Sequence, residues 1–232
     1  MSLTANETKL VIFDCDGVLV DSEPISLSVL LELLARAGLV LDLDEAYELF
    51  LGKSLKSISG ILNEDYGLAI DPSFLEGMRV ELYARFRREL KPVDGIAEAL
   101  DGLSVARCVA SSSQLERIRL SLSLTGLIGR LEPNIFSASM VTRGKPAPDL
   151  FLHAAGVMGI PAAHCVVIED SPAGVVAAKA AGMRVFAFTG ASHARNPRHI
   201  EKLSQLQPDL LFDDMRELIQ FVGEEKADRK SH

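Results

Sequence analysis

The sequence is poor in cysteine and contains no tryptophan, and its few cysteines argue against several kinds of site. Three cysteines occur among 232 residues: Cys15, Cys108 and Cys165. Each lies in or beside an apolar run, and none has CxxC spacing. Cysteines of this kind are typical of small buried side chains in a reducing compartment, so the pattern excludes a disulfide framework and a zinc site. We therefore expect a cytoplasmic protein.

The chain also lacks an excess of positive charge and a long apolar run. Its 24 basic residues are outnumbered by 32 acidic ones, which gives a formal net charge of −8. Without a basic stripe to neutralise phosphates, no nucleic-acid partner is expected. No apolar run approaches a membrane span, and the N-terminus has no secretory apolar region, so no membrane partner is expected either.

What the chain does contain is a repeated alternation of strands and helices. From about residue 92 onward, short apolar runs alternate with helical segments of about ten residues, a pattern typical of βαβ units and a parallel sheet. Together with the first strand, this predicts an α/β fold with a Rossmann-like, doubly wound parallel sheet. The predicted strands are 10–13, 105–110, 135–138, 165–168, 185–188 and 210–212.

The stretch between the first two strands has a different character. Apolar residues recur there at helical spacing, and no strand-like run interrupts them. We therefore predict an α/β core domain formed by residues 1–22 and 92–232, with an inserted α-helical cap domain at 23–91.

Polar side chains follow four of the predicted strands. In parallel sheets, ligands bind outside the carboxyl ends of the strands, so these positions carry the candidate site. Taken singly, an acidic pair is as typical of a turn as of a binding site, and a serine cluster is more typical of a helix cap. In chain order the residues are Asp14, Asp16, Ser111, Ser112, Ser113, Lys145, Glu169 and Asp170.

The first acidic pair suggests a shared cation. Side chains alternate along an extended strand, so Asp14 and Asp16 are predicted to point the same way. Two like charges at one place favour a shared proton or a cation, and Mg²⁺ prefers such oxygen ligands. Lys145, in a segment with two prolines, offers a positioned positive charge for an anion.

At this point a family resemblance is visible. The segments DCDGVLVDSE, the serine after the second strand, GKPAPD and EDS occur in the order typical of the haloacid dehalogenase-like hydrolase superfamily. The chain resembles the branch that contains β-phosphoglucomutase and small sugar-phosphate phosphatases. The resemblance covers residues 10 to about 221, and the family's helical cap matches the helical insert.

The resemblance implies a role for each matching residue. It implies that Asp14 is the nucleophile that forms an aspartyl-phosphate, and that Asp16 is the general acid and base. It further implies two residue sets. The phosphate binders are Ser111, Ser112 and Lys145, and the Mg²⁺ ligands are Asp14, the backbone carbonyl of Asp16, Glu169 and Asp170.

Related activities differ at identifiable positions. Dehalogenases and phosphonate-cleaving relatives lack the second aspartate, which is present here as Asp16, although Lys53 leaves the phosphonate-cleaving chemistry open. Mutases carry a histidine and an arginine where this chain has Ser26 and Leu55. Hydrolysis is therefore favoured over transfer of the phosphoryl group back to the sugar. A non-catalytic binding protein is the alternative of another class. We predict a Mg²⁺-dependent phosphatase acting on a small phosphorylated metabolite.

Substrate choice is expected to depend on the cap. The loop at Gly52, Lys53 and Ser54 is predicted to close over the core, with Lys53 facing an anionic group. The cap and residues 191–198 resemble those of a sugar-acid phosphatase, which suggests a phosphorylated sugar acid as the first candidate substrate, with a phosphorylated sugar or a nucleotide as the alternatives. Segment 191–198 follows a strand and could reach the active-site face, but a solvated loop is favoured. The family resemblance favours a monomer.

Overall fold

A computed structural model describes residues 7–50 and 55–223 of the chain. The described residues form six strands and ten α-helices, joined by short 3₁₀ turns. The strands are β1 (Leu10–Phe13), β2 (Ala106–Ser111), β3 (Ile135–Ser137), β4 (Cys165–Glu169), β5 (Arg184–Phe188) and β6 (Leu210–Phe212). The helices are α1 (Glu23–Arg36), α2 (Leu43–Phe50), α3 (Leu55–Tyr66), α4 (Pro72–Glu89), α5 (Ile96–Gly102), α6 (Leu115–Leu124), α7 (Asp149–Val157), α8 (Pro172–Ala180), α9 (Pro197–Gln205) and α10 (Leu218–Gly223).

The strands make one parallel sheet in the order β3-β2-β1-β4-β5-β6. The predicted α/β class and parallel sheet are therefore confirmed. Strand β1 lies between β2 and β4, with Phe13 opposite Val109 on one side and Ile168 on the other. The strand order reverses beside β1, which is where doubly wound folds form their ligand crevice.

The apolar runs of β1 and β4 are explained by burial on both faces of the sheet. Every residue of these two strands is buried. One set of alternate residues, including Ile12 and Val167, packs in a cluster with side chains from α7, α8 and α9. Their neighbours Val11 and Val166 point to the other face and are also fully buried. Parallel strands covered on both sides read as continuous hydrophobic runs, which is why the sequence identified them.

The chain divides into two compact units. One unit comprises the described parts of 1–21 and 91–232 and contains the sheet; the other spans 22–90 and contains α1 to α4. In the second unit, α1 packs against α4 through buried apolar side chains such as Leu34 and Phe86. Across residues 7–50 and 55–223, no helix has the length and apolar character needed to cross a bilayer.

Helix α7 offers a matched test of the core. Leu150 is fully buried in the sheet cluster, whereas Leu152, two residues later, is 44% exposed. Leu150→Ala is expected to lower the free energy of unfolding by about 2–5 kcal/mol, because the removed side chain leaves a cavity. Leu152→Ala should change it by no more than about 0.5 kcal/mol. Urea unfolding measures both, and equal losses would contradict this description of the core.

Candidate active site

The candidate site is built at the carboxyl ends of the central strands. The backbone N–H of Asp14 donates to the carbonyl of Ile168 at 3.0 Å, which continues the pairing of β1 with β4 by one residue. Asp14 and the acidic pair after β4 are thereby brought side by side. The three carboxyl groups of Asp14, Glu169 and Asp170 each offer an oxygen, and these oxygens lie within 4.8 Å of one another.

Lys145 lies within this cluster as its counter-charge. Its ammonium group donates to Asp14 Oδ1 at 2.8 Å and to Glu169 Oε1 at 2.6 Å. The lysine side chain is 4% exposed, and its nitrogen lies 4.8 Å from the centre of the Phe151 ring on α7. A buried ammonium needs such partners, since removing an unpaired charge from water costs several kcal/mol.

Burial sets the protonation of the cluster. Burial raises the pKa of Asp14 well above its ordinary value; Lys145 opposes this, and the nearby charges of Glu169 and Asp170 add to it. Burial and the charge of Glu169 likewise raise the pKa of Asp170, against the charge of Lys145. For Lys145, burial lowers the pKa, but the carboxylates of Asp14 and Glu169 outweigh it and raise the pKa above its ordinary value. The cluster thus has more negative charge than one lysine compensates.

This donor set fits a hard divalent cation. Three buried carboxylates that repel one another are stabilised when a cation shares their oxygens, and Mg²⁺ takes oxygen ligands. The described residues thus include Asp14, Glu169 and Asp170 as candidate metal ligands, three of the four predicted from the sequence. The fourth, Asp16, was predicted to contribute through its backbone carbonyl.

The side chain of Asp16 has different partners from Asp14. Its Oδ2 accepts a hydrogen bond from the Ser113 hydroxyl at 2.6 Å, and its Oδ1 accepts one from the Arg117 guanidinium at 2.8 Å. The strand alternation that predicted a common direction does not extend this far. Strand β1 ends at Phe13, and the next residues turn, with the Cys15 carbonyl accepting from the N–H groups of Leu19 and Val20.

The predicted serines are in place at the end of β2, with different surroundings. Ser111 is 1% exposed, and its hydroxyl accepts from the N–H of Ser113, just before helix α6. Ser112 is exposed. The contribution of Arg117 was not predicted. Its signal was its place near the start of the helix that follows the serines, a position from which a long side chain reaches the end of the neighbouring strand.

Glu169 is held in place by the start of α8. Both the N–H and the hydroxyl of Ser171 donate to Glu169 Oε2, at 2.8 and 2.9 Å. A Cβ added to Gly174 would come within 1.8 Å of Glu169 Oε1, so the first turn of the helix packs directly on this carboxylate. The small residues of the segment after β4 thus allow the helix to approach the cluster.

The prediction of a solvated loop at 191–198 is wrong for His193, and the adjacent His199 is buried as well. His193 and His199 are 4% and 7% exposed, and both are hydrogen bonded to Asp170. Basic residues next to a proline in a segment without apolar periodicity are typical of a surface loop, which is why the sequence pattern was misleading. The candidate cap residues Gly52, Lys53 and Ser54 lie outside the described residues.

Comparison with known proteins identifies the family. The haloacid dehalogenase-like hydrolase model matches residues 8–182. The 6-phosphogluconate phosphatase of Escherichia coli is 31% identical over 184 residues, which are 79% of this chain and 83% of that protein.

Two solved structures are similar in both fold and sequence. A haloacid dehalogenase-like protein of unknown function from Agrobacterium tumefaciens has a TM-score of 0.84 and 37% identity, over 94% of this chain and 99% of its own. A hydrolase of this family from Deinococcus radiodurans, determined with bound phosphate and sodium, has a TM-score of 0.77 and 33% identity, over 94% and 96%. The resemblance inferred from the sequence motifs is confirmed.

The different surroundings of Asp14 and Asp16 predict opposite effects on stability. In chelator at neutral pH, Asp14→Asn is expected to raise the free energy of unfolding, because burial raises the pKa of the Asp14 carboxyl and disfavours its charged form. Asp16→Asn should lower the free energy of unfolding, because it leaves Arg117 without its carboxylate. Thermal and urea unfolding in EDTA measure both changes.

The pH dependence of the same variants gives a further check. The protonated form of Asp14 is favoured in the folded state, so the contribution of Asp14 to wild-type stability in EDTA should fall as pH rises from 3.8 through the raised pKa. Asp14→Asn should show a shallower fall. If Asp14→Asn is less stable than wild type throughout this pH range, the electrostatic description is contradicted.

Proposed function

The chain belongs to the haloacid dehalogenase-like hydrolase family and is a phosphoric monoester phosphatase that acts on a phosphorylated metabolite, and we propose that it does so with Mg²⁺ and an aspartyl-phosphate intermediate. The observation that carries the proposal is the buried contact of Lys145 with Asp14, at the end of the central strand and beside Glu169 and Asp170.

Asp14 is the nucleophile. One of its carboxylate oxygens forms a bond to phosphorus while the bond from phosphorus to the alcohol oxygen of the substrate breaks. The ammonium of Lys145, already in contact with Asp14 Oδ1, reduces the repulsion between this carboxylate and the phosphate dianion. A phosphoryl group arriving at the ends of β1 and β2 also meets Ser111 and Ser112 before helix α6. Backbone N–H groups at a helix start favour an anion, which supports a phosphate-binding role for these serines.

Asp16 handles the protons of both half-reactions. It gives a proton to the leaving alcohol oxygen and later takes one from the water that attacks the aspartyl-phosphate, which restores Asp14 and releases phosphate. Ser113 and Arg117 hold both oxygens of its carboxylate, and this supports a role that depends on orientation.

The carboxylates of Asp14, Glu169 and Asp170, with the backbone carbonyl of Asp16, would hold Mg²⁺. When bound, the cation supplies neutralisation of charge on the phosphoryl oxygens and the nucleophile. Phosphoryl transfer depends mainly on positioning and charge stabilisation, which is the chemistry that this residue set supports.

The substrate class that we propose is a sugar or sugar-acid phosphate. The similarity to 6-phosphogluconate phosphatase supports a phosphorylated sugar acid first. The hydroxyl of Ser26, at the position where mutases of the family carry a histidine, donates to the carbonyl of Ser22, the residue before α1. This arrangement offers no replacement for the imidazole and favours water as the final acceptor. In the cap, Gly52, Lys53 and Ser54 stay proposed specificity residues.

Phosphate release tests the reaction. Full-length protein is incubated with phosphorylated sugars, sugar acids and an aryl phosphate, in Mg²⁺ and in EDTA, with products analysed for both free phosphate and isomerised phosphosugar. We expect phosphate release in Mg²⁺ only, and its loss by at least about 10³-fold in Asp14→Asn, because the nucleophile is absent. Isomerised phosphosugar without net phosphate release would indicate a mutase.

Two basic residues of one segment provide a matched test of phosphate binding. Lys145 is buried against Asp14, whereas the Arg143 side chain is 69% exposed and pairs with Asp149. Lys145→Met is expected to lower kcat/KM by at least about 10²-fold, because the phosphate then meets uncompensated carboxylates. Arg143→Met should leave kcat/KM within about twofold. Equal effects of the two substitutions would contradict the role of Lys145.

A further inference from the structure

Asp170 is held at two points by histidines that follow β5. The Nε2–H of His193 donates to the Asp170 carboxylate at Oδ2, and the Nε2–H of His199 donates to the Asp170 backbone carbonyl, both at 2.7 Å. His193 lies in the loop after β5, and His199 in the first turn of α9. Their rings contact each other edge to face, with centres 5.7 Å apart. Both side chains are therefore directed at a single acidic residue.

We propose that His193 is a positioning residue for Asp170: its hydrogen bond orients the carboxylate for metal binding, while His199 holds the backbone of the same residue. This inference rests on the Mg²⁺ site of the proposed function. It adds His193 as the group that orients the ligand Asp170.

The electrostatics of the cluster explain why Asp170 needs such a partner. Lys145 donates to Asp14 and Glu169, and Ser171 donates to the second oxygen of Glu169. Asp170 is 5% exposed and lies beside two other carboxylates, which repel it. The bond from His193 occupies Oδ2, so the carboxylate is oriented before a cation arrives. Hydrogen bonds to ligating carboxylates act in this way in metal sites generally.

The other side of the Asp170–His193 pair is closed by Gly17. A Cβ added to Gly17 would lie 1.9 Å from Asp170 Oδ2 and 2.7 Å from His193 Cε1. The backbone turn after β1 therefore packs on the hydrogen bond itself. The turn and the loop after β5 thus enclose the pair, and both side chains are buried.

The loop that carries His193 is itself anchored. The N–H of Ser192 donates to Asp21 Oδ1 at 3.3 Å, and its hydroxyl donates to Asp21 Oδ2. Ala191 and Ala194, on either side, are buried, so the loop is fixed by packing as well. His193 is thus positioned by its neighbours in the chain before it positions Asp170.

His193 acts on the ligand instead of serving as one. Within the part of the chain that the structure describes, the group able to share a metal ion consists of Asp14, Glu169 and Asp170 and includes no histidine. The Nε2 atom of His193 is already engaged with Asp170 Oδ2. The expected effect of losing His193 is therefore weaker Mg²⁺ binding, with the carboxylate ligands still present.

Mg²⁺ binding to the full chain tests the inference directly. Calorimetric titration of metal-free protein with MgCl₂ gives the Kd, and the rise of Tm with Mg²⁺ gives a second measure that needs no turnover. We expect His193→Ala to raise the Kd by about 10- to 100-fold. The Mg²⁺ concentration for half-maximal phosphatase activity should rise by the same factor, while kcat in saturating Mg²⁺ stays within about threefold of wild type.

Three further variants separate positioning from structural support. His193→Phe retains a buried ring but no donor, and should weaken Mg²⁺ binding as His193→Ala does. His193→Gln retains a donor at a similar distance, and should recover most of the affinity. His164 is a buried histidine before β4, at the opposite end of the strand from Asp170, and it contacts the Glu7 carbonyl. His164→Ala should leave the Kd unchanged even where it lowers Tm.

The possible results distinguish failure of the positioning role of His193 from failure of the proposed Mg²⁺ site. If wild type binds Mg²⁺ and His193→Phe or His193→Ala binds it equally well, His193 is not a positioning residue. A Kd that rises as much in His164→Ala as in His193→Ala would also overturn the inference, since loss of stability alone would then account for it. If wild type itself does not bind Mg²⁺, the metal site of the proposed function fails, and the positioning role fails with it.

Discussion

The crowding of three buried carboxylates around one ammonium group is the constraint on which the rest of this site depends. Lys145 compensates Asp14 and Glu169, but Asp170 adds a further carboxylate at a buried position. Buried charge of this kind is stable only when it is paired, protonated or bound to a cation. The same excess of negative charge that destabilises the metal-free protein makes the site suited to a divalent metal and, through the metal, to a phosphate dianion.

The sheet order turns a set of scattered residues into this cluster. Because β1 lies between β2 and β4, the serines after one neighbour and the acidic pair after the other flank Asp14. Close approaches of the backbone then complete it: the turn at Gly17 contacts Asp170, and the helix start at Gly174 contacts Glu169. Side chains at either glycine would collide with the carboxylates, so the tight packing and the electrostatics depend on the same residues.

The surroundings of Asp170 extend beyond the region that defines the family. The family model ends at residue 182, whereas His193 and His199 follow β5 and reach back to the acidic pair after β4. The buried acidic pair and the histidines hydrogen bonded to Asp170 thus come from different parts of the chain. The two aspartates of the first motif also have different partners, since Asp14 lies in the acidic cluster and Asp16 is hydrogen bonded to Ser113 and Arg117.

The sequence by itself determined the α/β class, the parallel sheet and the family, because buried strands appear as apolar runs and the polar motifs follow them at the strand ends. It also identified Asp14, Lys145, Glu169 and Asp170 as candidates, since like charges at neighbouring strand ends imply a shared cation. Tertiary structure alone decided the pairing of Asp16 with Arg117 and the burial of His193 and His199. Those contacts join residues far apart in the chain, so local sequence patterns do not predict them. A hydrogen bond across the fold depends on where the strands and loops meet.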